Sequence, residues 1–425
     1  MRRIALAAAV ILATMAGGCT LSARSDDGRT VIRFANGPDH GNFIHHRIAE
    51  FEALHPDIRV DMLEMPAASD TEHNQYATYL IAEDSSIDVY AVDVIWPAEF
   101  GAAGWAEPLE GRLPQDDWKH FLNGALAACQ SDGHIWAVPW YVNAGVLYYR
   151  KDLLDRAGLQ PPQTWDELVT DCQKLQQPPD LYGYLGQWKQ YEGLVCNFLE
   201  FIWGNGGDVL SPDGRVVVDS AQNLEALQTM CDLRNKYQVT APDINISQED
   251  ESLNLFMAGK GVFLREWPYT WAILQKSPAS HVAGKVGITR VPHGPHGSWA
   301  ASTGGWNLML SHYSQHKAQA WAFIDFMTST HTQAEMVLEA AFMPTREPVY
   351  GDPRVLAAMP EVAKFHECFE WARPRPVTPY YSQISDMLQA DVSRAINGQT
   401  TPAQALRQAQ SDIESRPGLA RHDLP

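Results

Sequence analysis

The opening of the chain alternates strand and helix patterns, and this limits what it can fold into. Residues 31–35 and 58–63 each read as a strand with one buried face. Between them, residues 43–55 carry apolar side chains at helical spacing. Two strands joined by a helix form a β-α-β unit, which requires a parallel sheet with a right-handed crossover.

The α/β pattern continues along the rest of the chain. Residues 89–95 form an apolar strand that carries one carboxylate, Asp93, and residues 135–139 and 146–149 are predicted strands around a turn at 140–145. The further predicted elements are helices at 72–82, 151–158 and 315–329, a helix to residue 175 that opens with the capping box Thr164–Glu167, and strands at 286–292 and 301–310. The pair Gly304 and Gly305 is predicted to absorb a domain rotation.

Length and charge restrict the architecture and the partners. The 425 residues are too many for one hydrophobic core, so two lobes are expected. The formal charge of −19 argues against nucleic acid and anionic lipid surfaces as partners, because both require clustered Lys and Arg.

The first residues predict export. Arg2 and Arg3 precede an apolar and small-residue run at 4–16, which is too short to span a bilayer and is typical of a secretory signal peptide over residues 1–18. Small residues before Cys19 resemble a bacterial lipobox, so residues 19–29 are predicted to be a lipidated cysteine and a polar tether. Ordinary signal cleavage that discards Cys19 is the alternative. No later segment reaches about 18 continuous apolar residues.

The other cysteines allow more than one arrangement. An odd count in an oxidising compartment permits two disulfides and one free thiol, which sequence alone cannot pair. Cys196 and Cys231 lie in apolar helical patterns and are predicted to be small buried hydrophobic residues. The remaining three are Cys129, Cys172 and Cys368.

An aromatic cluster gives the first indication of a ligand. Residues 266–271, EWPYTW, follow the apolar run at 261–265. Rigid aromatic rings at the end of a strand offer flat, partly polar faces, which suit the C–H face of a sugar ring.

Several motifs, in order from about residue 31 to about residue 414, resemble those of the family 1 extracellular solute-binding proteins of bacterial and archaeal ABC sugar importers. The motifs that carry this resemblance are residues 88–96 (DVYAVDVIW), 102–109 (AAGWAEPL) and 138–154 (VPWYVNAGVLYYRKDLL). The resemblance is sharpened to the trehalose/maltose-binding subgroup by residues 161–168 (PPQTWDEL), 189–200 (KQYEGLVCNFLE), 304–306 (GGW) and 375–381 (RPVTPYY).

The resemblance implies a two-lobed α/β periplasmic-binding-protein (Venus-flytrap) fold with three hinge crossings. Lobe 1 is expected to comprise residues 30–142 and 301–350, and lobe 2 residues 143–300 and 351–425. It also implies a monomer that needs no cofactor, closes over a trehalose- or maltose-like disaccharide, and delivers it to the transmembrane permease subunits of an ABC transporter with a cytoplasmic ATPase.

Site residues follow from the same resemblance, position by position. A sugar site needs aromatic platforms and charged groups that bond adjacent hydroxyls. Arg375 is preferred to Arg373 because the following TPYY motif has the family spacing, and Trp271 is assigned to the core. The predicted sugar-binding residues are Asp93, Tyr141, Asn143, Trp267, Tyr269, Gly305, Trp306 and Arg375.

Two charged contacts of the family are replaced by neutral side chains here. The early loop that offers a Glu in relatives carries His40 and Asn42, and the position of a relative's Arg carries Asn74 and Gln75. These residues are predicted to bond hydroxyls as neutral groups, with either a shifted sugar preference or a modest change in affinity.

Two other readings stay open from sequence. The same fold can take another solute, such as an oligosaccharide, a polyol phosphate or a polyamine. A secreted glycoside hydrolase would need two facing carboxylates, for which Asp93 with Glu192 or Glu266 is the available choice. His45 and His46 point about 100° apart on a helix, so they are predicted to form a solvated face and no metal site.

Overall fold

The computed structural model describes residues 28–39 and 42–416. The predicted signal peptide, Cys19, all but the last two residues of the tether, and His40 lie outside the described residues. In the part that is described, no helix is long and apolar enough to cross a membrane.

The strands form two main sheets and one small hairpin. Labelled in chain order, the strands of the described residues are β1 Thr30–Asn36, β2 Ile58–Glu64, β3 Val89–Asp93, β4 Gln130–Ser131, β5 His134–Ile135, β6 Val138–Ala144, β7 Val146–Arg150, β8 Tyr182–Leu185, β9 Gly261–Glu266, β10 Val286–Thr289, β11 Ala301–Leu310, β12 Met343–Pro344 and β13 Ala372–Arg373.

Helices cover the sheets and connect their strands. In chain order they are α1 Phe43–Leu54, α2 Ser69–Ile81, α3 Pro97–Ala102, α4 Gln115–Trp118, α5 Asn123–Ala128, α6 Lys151–Ala157, α7 Trp165–Leu175, α8 Glu192–Gly204, α9 Ala221–Asn235, α10 Glu249–Met257, α11 Thr270–Lys276, α12 Lys317–Met327, α13 Thr330–Ala340, α14 Pro353–Ala358, α15 Val362–Phe369, α16 Tyr381–Ile396 and α17 Pro402–Glu414, with 3₁₀ turns at Ile244–Ile246 and Glu347–Gly351.

The first sheet confirms the predicted opening of the chain. Its strand order is β12-β6-β11-β3-β1-β2, with β13 beside β11. β1 runs parallel to both β2 and β3, and α1 connects β1 to β2 as the β-α-β pattern predicts. β11 and β6 join in the antiparallel direction. Ile32 and Phe34 of β1 are fully buried beneath α1 and α12 in the apolar core of this lobe.

The second sheet, β10-β7-β9-β8, belongs to the other lobe. Its largest core packs α8 against α7, α9 and α16, and α17 packs against α9 and α16. Every residue of α8 is buried, in agreement with its almost continuously apolar sequence. The predicted capping box is confirmed at the start of α7, where the Thr164 side chain accepts from the Glu167 N–H and the Glu167 carboxylate accepts from the Thr164 N–H.

The chain passes between the lobes three times, in agreement with the expected two-lobed fold. It crosses at Gly145, between β6 and β7, and returns at residues 290–300, between β10 and β11. The third passage runs from β12 to α16 and α17, whose apolar faces lie in the core of the second lobe.

One predicted turn is wrong. Residues 138–144 form the continuous strand β6, which is paired with β11 on one side and with β12 on the other. Pairing with these two neighbouring strands holds the segment extended. Only Gly145 separates β6 from β7.

Gly304 and Gly305 lie inside β11. Gly305 has a φ of +129°, and a Cβ there would lie 2.4 Å from the Tyr141 carbonyl oxygen. A Cβ on Gly304 would lie 3.0 Å from Trp267 Cζ3. Both glycines therefore permit close approach of a neighbour, and their part in a domain rotation stays a prediction.

All five cysteines of the described chain are buried free thiols, so the disulfide alternative is not realised there. Cys196 and Cys231 are buried within α8 and α9, which confirms their prediction as small buried hydrophobic residues.

Candidate functional site

A cleft of about 530 Å³ lies between the two lobes. This volume falls within the roughly 300–1,000 Å³ that is typical of small-molecule sites. The structure brings together at this cleft the predicted residues Asp93, Tyr141, Asn143, Trp267, Tyr269, Gly305, Trp306 and Arg375. Strand pairing aligns three of these residues, because β11 pairs with β3 and with β6 in a register that places Trp306 opposite both Asp93 and Tyr141.

Arg375 holds the charged end of the cleft. Its side chain is almost fully buried and bonds two carboxylates, with Nη2 donating to Asp93 Oδ1 at 2.5 Å and Nη1 donating to Glu192 Oε1 at 2.7 Å. Asp93 ends β3 of the first lobe, whereas Glu192 begins α8 of the second. One guanidinium therefore links both lobes, and two negative charges face one positive charge.

Glu192 positions Arg375, a role that was not predicted from the sequence. Its carboxylate also accepts hydrogen bonds from the hydroxyl groups of Tyr381, at 2.6 Å, and Ser385. Its backbone N–H donates to Asp70 Oδ2 at 3.2 Å across the lobe boundary. These bonds hold Glu192 in place, so Arg375 approaches the cleft in a defined orientation.

A second carboxyl group at this end, Glu72, was also missed. Burial raises its pKa to about 8, although the hydrogen bond from the Tyr76 hydroxyl to Oε1 at 2.7 Å opposes the shift. Within residues 28–39 and 42–416, Oε2 has no hydrogen-bond partner. Burial likewise raises the pKa of Asp93, and the Arg375 guanidinium acts in the opposite direction.

Trp267 forms an aromatic wall that is held from several sides. The Arg265 guanidinium lies 4.0 Å from the centre of its ring, a cation–π contact that covers one face and leaves the other to stack on a ligand. Its indole N–H donates to Glu249 Oε1 at 3.4 Å, and its carbonyl oxygen accepts from the Tyr148 hydroxyl at 3.0 Å.

A buried ion pair lies behind this wall. Arg265 donates to Glu200 through Nε at 2.8 Å and Nη2 at 2.5 Å, and each side chain is only 1% exposed. Glu200 Oε1 also accepts from the Ser302 N–H at 3.1 Å, at the start of β11. The support of Trp267 is thus joined to the segments that cross between the lobes.

The floor of the cleft comes from the first sheet. Trp306 packs edge-on against Trp96 at 5.6 Å, and Tyr141 stacks on Phe342 at 4.6 Å. Asn143 is 7% exposed, and its Oδ1 has no protein partner in the described chain. An unpartnered buried amide oxygen is available to a ligand hydroxyl.

Three other predicted residues do not line the cleft. Asn42, Asn74 and Gln75 are absent from its lining, and Asn42 and Asn74 are exposed. Asn74 lies two residues after Glu72 on α2, about 200° around the helix, which explains why Glu72 faces the cleft and Asn74 faces solvent. His40 lies outside the described residues.

The structure also shows where Arg373 and Trp271 lie, while the role of Arg375 as a sugar contact stays a prediction. Arg373 points away from the cleft, where its guanidinium bonds Asp208 Oδ2 at 2.5 Å and lies over the Trp203 ring. Trp271 packs against Tyr148 and against an apolar cluster that includes Leu264 and Leu274, which confirms its assignment to the core.

Comparison with known proteins decides the family. The family model described as bacterial extracellular solute-binding protein matches residues 35–334. The chain belongs to the bacterial extracellular solute-binding protein family. A probable ABC transporter-binding protein of Deinococcus radiodurans is 34% identical over 364 residues, which are 83% of this chain and 86% of the relative.

Solved structures of similar proteins support the same conclusion. Maltose-bound MalE3 of T. maritima is 38% identical, with a TM-score of 0.86 over 90% of this chain and 98% of that protein. An ABC transporter solute-binding protein of Thermotoga lettingae bound with α-D-tagatose is 26% identical, with a TM-score of 0.82 over 90% and 98% of the two chains.

In this solute-binding protein, the cleft suits a neutral, polyhydroxylated ligand. Aromatic faces stack on the C–H surface of such a ligand, and carboxylates with a forked guanidinium bond pairs of adjacent hydroxyls. The Arg375 guanidinium is shared by two carboxylates, so it has no surplus positive charge to offer a phosphate group.

Proposed function

We propose that this solute-binding protein captures a trehalose- or maltose-like α-glucoside disaccharide between its lobes for an ABC importer. The similarity to maltose-bound MalE3 of T. maritima supports this choice, and its 38% identity extends over most of the chain. The eight cleft residues predicted from the subgroup motifs are proposed as its sugar contacts, with Glu72 added.

The observation that carries this proposal is that Arg375 and the aromatic wall line the same cleft. Arg375, Asp93 and Glu192 supply fixed donors and acceptors at one end of the cleft, while Trp267 and Tyr269 supply ring faces. A disaccharide needs both kinds of group at once, since its hydroxyls are polar and its ring faces are apolar.

Hinge closure is the proposed mechanism of capture. The proposed lobes are residues 30–142 with 301–350 and residues 143–300 with 351–425. Neither lobe alone surrounds the cleft, so a ligand binds the closed arrangement better and shifts the population towards it. Contacts across the lobes, such as Ser382 Oγ to Glu99 Oε2 at 2.7 Å, stabilise that arrangement.

Export and delivery complete the proposal. The protein is proposed to be a monomeric, exported lipoprotein anchored through Cys19, with the membrane permease subunits of an ABC transporter and their cytoplasmic ATPase as partners. The signal-like residues 1–18 and the transporter-binding relative support this. Globomycin-sensitive processing of Cys19, read by mass spectrometry, tests the anchor.

Another small sugar or polyol is the second candidate ligand class. A relative of Thermotoga lettingae has α-D-tagatose bound, and a mannitol-binding protein of Pseudomonas aeruginosa is 25% identical over 85% of this chain. Hydrolysis is not proposed, because Glu266 does not line the cleft and because Asp93 and Glu192 share Arg375.

Isothermal titration of the purified protein tests the proposal. Maltose, trehalose, glucose, tagatose, mannitol and ribitol are titrated separately, after unfolding and refolding that removes any co-purified solute. We expect micromolar or tighter binding of maltose or trehalose. Folded protein that binds neither disaccharide would refute the proposal, and preferential binding of a polyol would select the second ligand class.

A further inference from the structure

The floor of the cleft continues beyond the residues assigned to the disaccharide. Asp93, Trp306 and Tyr141 lie opposite one another on β3, β11 and β6, and Tyr141 pairs with Pro344 of β12. With strands about 4.8 Å apart, these three steps span roughly 14 Å. Phe342, just before β12, extends the floor past Tyr141 and stacks on its ring.

The end of the cleft beyond Tyr141, which we call the outer end, has apolar walls. The first lobe contributes Phe43 and Ile44 from α1 and the segment from Ala340 to Phe342, and the second lobe contributes Ala272 and Ile273 from α11. The rings of Phe43 and Phe342 meet edge-to-face at 6.1 Å. The two lobes therefore enclose this end between aromatic and aliphatic surfaces.

The charged side chains at the rim of the outer end already bond protein groups. The carboxylate of Asp39 accepts from the N–H groups of Ile44 and His45, at 3.1 and 3.0 Å. Lys276 Nζ donates to the Leu338 carbonyl oxygen at 3.1 Å.

Glu339 completes this rim, and its Oε1 is 2.5 Å from His46 Nδ1. Asp39, Lys276 and Glu339 thus each have a protein partner.

The two ends of the cleft therefore differ in chemistry. The inner end offers Glu72 Oε2 and Asn143 Oδ1, neither of which has a hydrogen-bond partner among the described residues, besides the Asp93 and Arg375 pair. A pyranose ring needs such groups, because hydroxyls that lose water without a new hydrogen bond weaken binding. An apolar substituent needs none and gains from burial against aromatic rings.

We propose that the outer end is a subsite for an apolar aglycone, so that the ligand class includes α-glucosides whose sugar lies at the inner end and whose aryl or short alkyl group lies against Phe342 and Ile273. This inference rests on the proposed capture of α-glucosides. It goes further by naming a part of the ligand that is not sugar.

Titration calorimetry with three probes tests the subsite. Maltose, maltotriose and 4-nitrophenyl α-maltoside are compared on the wild-type chain, on Ile273→Ser, and on the matched control Ile246→Ser, whose side chain is 65% exposed away from the cleft lining. We expect the aryl maltoside to bind at least tenfold more tightly than maltose. In Ile273→Ser, the ratio of the maltose Kd to the aryl maltoside Kd should fall below threefold, while the maltose Kd itself changes less than twofold. Ile246→Ser should keep the wild-type ratio.

The other outcomes separate the two proposals. If maltose binds and the aryl group gives no gain, or if the gain survives in Ile273→Ser, the subsite is wrong and sugar capture stands. If maltotriose gains as much as the aryl maltoside, the outer end accepts a hydroxylated ring and the apolar assignment is wrong. If the protein binds trehalose but neither maltose nor 4-nitrophenyl α-maltoside, the subsite is wrong and sugar capture stands. If no glycoside binds folded protein, both proposals fall.

Discussion

Gly145 is a residue of the lobe boundary at which a single added methyl group should be disruptive. It separates β6 from β7, and a Cβ at this position would lie 1.9 Å from Glu200 Oε1 and 2.5 Å from Arg265 Nη2. Gly145 is not among the residues with positive φ, so alanine is compatible with its backbone. The predicted damage from Gly145→Ala is therefore steric and falls on the ion pair.

The expected magnitude follows from how firmly Glu200 is held. Its carboxylate accepts from Arg265 Nε, Arg265 Nη2 and the Ser302 N–H, so it cannot retreat without losing bonds. Overpacking costs about 1–3 kcal/mol. Breaking a buried ion pair costs about 3–5 kcal/mol. We expect Gly145→Ala to lower the free energy of unfolding by about 3 kcal/mol.

Urea unfolding followed by far-UV circular dichroism measures this loss, provided that the variant and the wild type have equal m-values. Gly111→Ala is the control, since a Cβ there meets nothing within 4 Å, and it should change stability by less than about 0.5 kcal/mol. In a Glu200→Asp background, the shorter side chain should relieve part of the clash and make Gly145→Ala less costly. A loss below about 1 kcal/mol, or equal losses in both backgrounds, would refute the steric reasoning.

Three further predictions concern the cleft. Arg375→Lys keeps the charge but loses the fork between two carboxylates, so the maltose Kd should rise about 10- to 100-fold by calorimetry, whereas Arg373→Lys should leave it unchanged. Gly304→Ala should displace Trp267, change its fluorescence and weaken maltose binding at least about fivefold, because a methyl group would lie 3.0 Å from the ring. Burial raises the pKa of Glu72 from 4.5 to about 8, so the folded chain keeps a proton that the unfolded chain releases above pH 4.5. The contribution of Glu72 to the free energy of unfolding should therefore fall by a few kcal/mol between pH 5 and 8. Urea unfolding of Glu72→Gln should show a flatter pH profile than that of the wild type.

Local signals account for the parts of the fold that the sequence predicted well. The helix boundary at Thr164 depends on a reciprocal cap within four residues, and α1 depends on apolar spacing within one segment. Both are properties of neighbours along the chain. Strand β6 differs, since its extended conformation depends on pairing with β11, whose residues are more than 150 positions away.

The candidate site likewise combines residues that local motifs predict with contacts that depend on distant parts of the chain. Asp93, Trp267 and Arg375 stand in recognisable motifs, so each could be chosen singly from the sequence. The partnership of Glu192 with Arg375 joins residues 183 positions apart, and no periodicity in either segment indicates it. Glu72 and Asn74 are close neighbours on α2, and only the orientation of this helix in the folded chain distinguishes the one that lines the cleft from the one that is exposed.

Arg375 also explains why ligand capture and lobe closure should be coupled in this fold. It is buried on the third crossing and bonds one carboxylate from each lobe, so separation of the lobes would leave at least one of these charges without its partner. In the open arrangement, the charge that loses its partner must be solvated by water. In the closed arrangement, a ligand hydroxyl takes the place of that water by bonding Asp93 or Arg375, so the ligand binds the closed arrangement better. The position of Trp267 should also depend on lobe closure. Arg265 supports the Trp267 ring, and its partner Glu200 accepts a hydrogen bond from the Ser302 N–H of the second crossing. Polar and aromatic contacts to a solute therefore depend on the same closed geometry.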